Sequence, residues 1–181
     1  MITRFLLTLV ISLLLANTAL AQRDYLTPQE VDLVKEAQIL DKRIDVFIRA
    51  AERRLIVIDG STAAAANAKV LKKESERWGE LPTGSRTELV SDIARIIDAA
   101  IDNIDDVSLH DERSPLIAKS LRKLAASANS IMAQLKPLSA QAKSEAEIAS
   151  FEQLNEGVQS IMEAVTKLPP EVEKKAKKDK N

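Results

Sequence analysis

Cysteine is absent from the 181 residues. That excludes a disulfide framework, a thiolate zinc site, an iron–sulfur cluster, thioether-bound haem and a cysteine nucleophile. Four glycines in the whole chain leave no phosphate-cradling loop of the G-x-G-x-x-G or G-x-x-x-x-G-K type, which sets nucleotide-dependent enzymes aside. The single histidine cannot supply the two Glu-x-x-His pairs of a di-iron bundle. Neither sign of charge dominates: 26 basic side chains face 27 acidic ones, so no global basic field exists to hold nucleic acid.

What is present begins with an export pattern. Arg4 precedes an apolar run from Phe5 to Ala16, and Ala19-Leu20-Ala21 is a small-x-small site before Gln22. Residues 1–21 therefore read as a signal peptide, and the apolar run is too short for a spanning helix. The expected protein is exported, periplasmic or extracellular, with no stable membrane insertion after the signal is removed. No cysteine follows the signal, so lipid anchoring is not expected. Residues 22–168 read as one helical domain and 169–181 as a disordered lysine-rich tail, in which Lys174, Lys175, Lys177, Lys178 and Lys180 alternate with acids.

Period-2 alternation is missing and 3.6-residue periodicity is strong, so the fold class is all-α. Thr27-Pro28-Gln29-Glu30 is a capping box with proline at the first helical position. Leu33, Ala37, Leu40, Ile44, Phe47, Ile48, Ala51, Leu55 and Ile58 then share one arc up to Gly60. This predicts a single first helix of about 32 residues. Ser85-Arg86-Thr87-Glu88 opens a second helix over 86–108, and Ser114-Pro115 a third that Pro137 ends or kinks. Ser144-Glu145-Ala146-Glu147 opens a fourth, which runs to Leu168. Short connections after the second and third predict an up-and-down antiparallel four-helix bundle, with a thin extra helix in 61–84 through Ala64, Ala68, Leu71 and Trp78.

The densest polar cluster is Asp98, Asp102, Asp105, Asp106, His110, Asp111 and Glu112. Carboxylates with an imidazole could hold a divalent cation, but Asp98, Asp102 and Asp105 point away from the apolar arc, which makes a solvated face. Neither a nucleophile elbow nor an ordered serine–histidine–carboxylate set occurs. No catalytic, cofactor-binding or metal residue is assigned, and no cofactor is expected. Met132 and Met162 read as core filler. Asp102, Asp105 and Asp106 at the end of the second helix are expected to face Lys119, Arg122 and Lys123 at the start of the third.

The candidate interaction face is a second apolar line on the first helix: Ile39, Val46, Ala50 and Val57, opposite the core arc. Either the 61–84 segment folds back over it, or a second copy or another exported protein covers it. Tyr25 to Asp32, Trp78 to Ser85 and Asn103-Ile104-Asp105-Asp106 together resemble a group of exported all-helical bacterial proteins with no assigned activity. The functional expectation is a non-enzymatic bundle acting through protein–protein contacts, including those of a homodimer. The alternative is a periplasmic carrier binding a small ligand or metal ion between its helices.

Overall fold

The computed structural model of the chain describes residues 24–60 and 75–169, and every regular element among them is helical. The signal, the tail after Pro169, and Ala64, Ala68 and Leu71 lie outside the described residues.

α1 spans Pro28–Glu36 and starts as its sequence requires: the Thr27 hydroxyl accepts from the Glu30 amide, and the Glu30 side chain accepts from the Thr27 amide. The single long first helix is not what forms. The chain breaks at residues 37–39 and resumes as α2, Leu40–Asp59, ending at Gly60 in the left-handed conformation. No glycine or proline sits at the break. It is capped by side chains instead, since Gln38 Nε2 donates to the Lys35 carbonyl at 2.6 Å and Arg43 Nε to the Ala37 carbonyl at 2.9 Å. α1 folds back antiparallel on α2, with Leu33 beside Val46 and Glu30 beside Arg53 and Arg54.

Residues 75–78 are helical. α3 spans Arg86–His110 with the expected Ser85 capping box. α4 spans Pro115–Ser139 and passes Pro137 by two residues, because a proline near the last turn removes only one terminal hydrogen bond. α5 spans Glu145–Thr166 under its Ser144 cap.

α2 packs on α3 and α4, and α5 packs on the same two, around an apolar core that also takes in Leu33 of α1 and Trp78. α3 and α4 are joined by four residues yet touch only sparingly. A short connection fixes opposite directions for two helices but leaves open which neighbours they choose. Ile44, Val90, Ile93, Ile96, Leu135 and Leu154 are fully sealed from solvent at the centre. The expected core role holds partly for Met132, which is half-buried, and not for Met162, which is exposed.

Candidate functional site

The most concentrated chemistry in the interior is ionic. Glu30, Arg53 and Arg54 are at most 2% exposed and Asp92 is 4% exposed. The Glu30 carboxylate receives Arg54 on both oxygens, at 2.7 Å each, and Arg53 Nε at 3.2 Å. Arg54 also donates to the Ala50 carbonyl at 2.8 Å and the Tyr25 carbonyl at 2.6 Å, and its Nε lies 3.9 Å from Asp92. Arg53 donates to the carbonyls of Gly79 and Glu80 and stacks 5.6 Å from the Trp78 ring centre. Arg95 lies 4.5 Å from the Tyr25 ring centre.

Burial of so many charges is tolerated because both guanidinium groups meet the Glu30 carboxylate and backbone carbonyls. Two cations and two carboxylates balance, so the cluster is a joint rather than an electrophile. It ties the entry segment, α1, the 79–84 connection and α3 to one turn of α2. Gly79 permits this locally, since its φ of 68° is left-handed and a Cβ there would approach the Gln29 side chain to 2.9 Å. An open groove of about 570 Å³ runs alongside, lined by Thr27, Pro28, Asp32, Arg54 and Thr83 among others.

A second ionic joint links α2 to α4. Asp41 is buried and receives Lys119 at 2.9 Å and Lys123 at 2.6 Å, while Lys123 also reaches Asp45 at 2.7 Å. The Lys123 hydrogen bond holds the Asp41 carboxyl below its ordinary range against the opposing effect of burial. Burial works against the Lys123 charge, but its two aspartate partners outweigh that and raise its pKa. A third joint pairs Arg86 with Glu147 at 2.5 Å, and that hydrogen bond lowers the Glu147 pKa.

These partners correct the expected pairing of the α3 end with the α4 start. Lys119 and Lys123 turn to α2, and Arg122 donates to the Pro169 carbonyl. Asp102, Asp105, Asp106, His110, Asp111 and Glu112 are exposed, and Asp98 accepts from Gln153 at 2.9 Å. Among the described residues no three acidic or histidine side chains converge enough to hold a metal ion. His110 Nδ1 contacts the Asp106 carbonyl at 2.7 Å.

The four residues of the candidate face separate. Val46 and Ala50 are buried in the core, Val57 is half-buried, and Ile39 is 56% exposed at the α2 cap. α1 and Trp78 lie over the middle of the line, around a groove of about 440 Å³ shared by Leu33, Val46 and Trp78. The sequence reading missed the arginine joint. Its signal was present: Arg53 and Arg54 continue the Val46 and Ala50 positions by seven and four residues, which makes them part of the covered line. Glu30 reads as a cap alone until the fold puts Arg54 against it.

No family model matches the chain, and neither a curated protein nor a solved structure matches it. Among the described residues no helix is long and apolar enough to cross a membrane.

Proposed function

We propose that this is an exported, non-enzymatic protein, an up-and-down four-helix bundle that acts through protein–protein contacts in the periplasm or outside the cell. It belongs, on this reading, with the exported helical group that its Tyr25–Asp32, Trp78–Ser85 and Asn103–Asp106 stretches resemble. What favours contact over the carrier alternative is the filled interior. The void between Phe47, Ile96, Leu124 and Ile131 is about 10 Å³, at the lower limit for a single water and far below the hundreds of Å³ a ligand site occupies. The buried polar groups support the same choice, because Glu30 is engaged with Arg54 and Asp41 with Lys119 and Lys123. Export rests on the Arg4, Phe5–Ala16 and Ala19-Leu20-Ala21 pattern.

Cross-linking in intact cells followed by mass spectrometry of the exported fraction tests the reading, together with native mass spectrometry of the purified protein. Specific cross-links to a protein, with the purified chain at its polypeptide mass, support it. A small molecule that co-purifies at stoichiometric amount would establish the carrier instead.

A further inference from the structure

Charge is sorted between the last two helices. α4 carries Lys119, Arg122, Lys123 and Lys136 and no acidic residue, and α5 carries Glu145, Glu147, Glu152, Glu156 and Glu163 and no basic one. Part of this charge is engaged inside the fold: Lys119 and Lys123 reach Asp41, Arg122 reaches the Pro169 carbonyl, and Glu147 takes Arg86. Lys136 and Glu152 are exposed and make no ion pair among the described residues. They stand on the two walls of an open groove of about 490 Å³ between α4 and α5, floored by the buried Phe151 with Met132 and Ile148 beside it. The apolar arc of α5 is also wider than its neighbours cover. Phe151, Leu154, Val158 and Ile161 are buried in the core, but a further line of Ile148, Asn155 and Met162 recurs every seven residues along its edge. Ile148 and Met162 are each 42% exposed, and among the described residues the other large apolar side chains left exposed are Ile39 and Leu109. Two of those four therefore share one face of one helix, next to the groove.

We propose that the outer α4–α5 face pairs with the same face of a second copy of this chain, about a two-fold axis that runs along the groove. Such an axis turns one face onto the other and keeps every residue at its own height, so α4 of each copy lies over α5 of the other. Lys136 and Glu152 border the same groove. The operation therefore brings Lys136 of each copy within reach of Glu152 of the other, twice, with Met132 and Ile148 meeting between the two pairs. A two-fold axis across the helices would instead lay α4 on α4 and α5 on α5, like charge against like, so charge selects the axis along the groove. The extent is sufficient as well. With 22 residues in α5, two adjacent helices present on the order of 650 Å², close to the roughly 800 Å² per partner of a stable interface. The inference rests on the contact reading above and makes the second copy the partner.

The full chain, purified as the cell delivers it, is followed by sedimentation from dilute to concentrated solution as wild type, as Lys136→Glu, as Glu152→Lys, and as an equal mixture of the two variants. Each single change sets two like-charged pairs across the axis and should raise the dimer dissociation constant about tenfold, and less at high salt. In the mixture, a Lys136→Glu copy facing a Glu152→Lys copy regains both opposite-charge pairs, so a mixed dimer should form about as tightly as wild type. Both side chains are exposed, so neither change should disturb the monomer's fold. A wild type that stays monomeric at every concentration, a dimer indifferent to both single changes, or a mixture that forms no mixed dimer would overturn the proposal. The contact reading fails separately: it stands if a monomeric wild type is cross-linked in cells to a different exported protein, and falls with the dimer if neither is found.

A measurement on wild type alone covers the case in which a variant misfolds. Light and heavy isotope-labelled chains are mixed and left to equilibrate, and carboxylates are coupled to amines without a spacer. Coupled Lys136–Glu152 peptides of mixed label in the dimer fraction support the pairing. Same-label peptides only would overturn it.

Discussion

Glu30 illustrates how one side chain serves two levels of structure. It closes the capping box that starts α1 and also neutralises two arginines sealed in the interior. Removing one partner of such a joint strands the other charge in an apolar setting, so Arg54→Ala should lower stability by about 3–5 kcal/mol, read from urea unfolding. The double change Glu30→Leu/Arg54→Met should cost less than that single change, because one cation and one carboxylate leave together and Arg53 and Asp92 keep the cluster balanced in charge. A double variant no more stable than Arg54→Ala would show that the pair itself, and not the stranded charge, carries the energy. Ser120 makes the opposite case. Its hydroxyl is buried and meets no hydrogen-bond partner, so Ser120→Ala should be neutral or stabilise by about 1 kcal/mol, visible as a small rise in melting temperature. A loss of comparable size would mean that the hydroxyl is satisfied.

Between elements, the α2–α4 joint sets a pH dependence whose sign can be worked out. Asp41 and Glu147 have carboxyl pKa values lowered by folding, so the stability they contribute is present above the unfolded values near 4 and is lost as pH falls through the lower, folded ones. Lys123 is raised, so its contribution is complete below about pH 10.5 and is lost only above that. Unfolding midpoints should therefore be flat across neutral pH and drop on the acid side below about pH 4. Asp41→Asn should flatten part of that acid drop, and an unchanged acid slope would show that Asp41 is not coupled to folding. Gly79 is the second element-level device. Gly79→Ala places a side chain in a left-handed position and against Gln29, which should cost about 1–3 kcal/mol. Gln29→Ala on the same background should relieve only the crowding, leaving the backbone part of the loss in place.

For the molecule as a whole, the small size of the void between Phe47, Ile96, Leu124 and Ile131, about 10 Å³, matters more than any single contact. Calcium, magnesium or zinc added to chelator-treated protein should leave the melting temperature nearly unchanged. A specific site filled at 100 times its dissociation constant would add about 2.7 kcal/mol, and a shift lost in His110→Ala would relocate function to the α3 end. Export predicts Gln22 as the first residue of the protein recovered from outside the cytoplasm. An N-terminus at Met1 there would contradict processing after Ala21.

Much of the helical content was legible because its signals are local. Thr27-Pro28, Ser85-Arg86-Thr87-Glu88, Ser114-Pro115 and Ser144 each start a helix where the sequence places one, and Gly60 ends α2, since caps and, at Ser114-Pro115, the proline of the first turn act locally. The all-α class follows from the same periodicity. The break at residues 37–39 was not legible, because Ala-Gln-Ile carries no breaker and the bend depends on Arg43, Glu30 and Arg54 meeting their partners. Nor could helix neighbours be read: Lys119 and Lys123 fit the α3 acids as well by charge as they fit Asp41 and Asp45. Only packing brings residue 41 to residue 123 and leaves residue 105 in solvent. Sequence alone determined where α1, α3, α4 and α5 begin, since a capping hydroxyl or a proline in the first turn acts within four residues. Tertiary structure alone decided which charges are buried and which apolar line is covered, since burial depends on elements far apart in the chain.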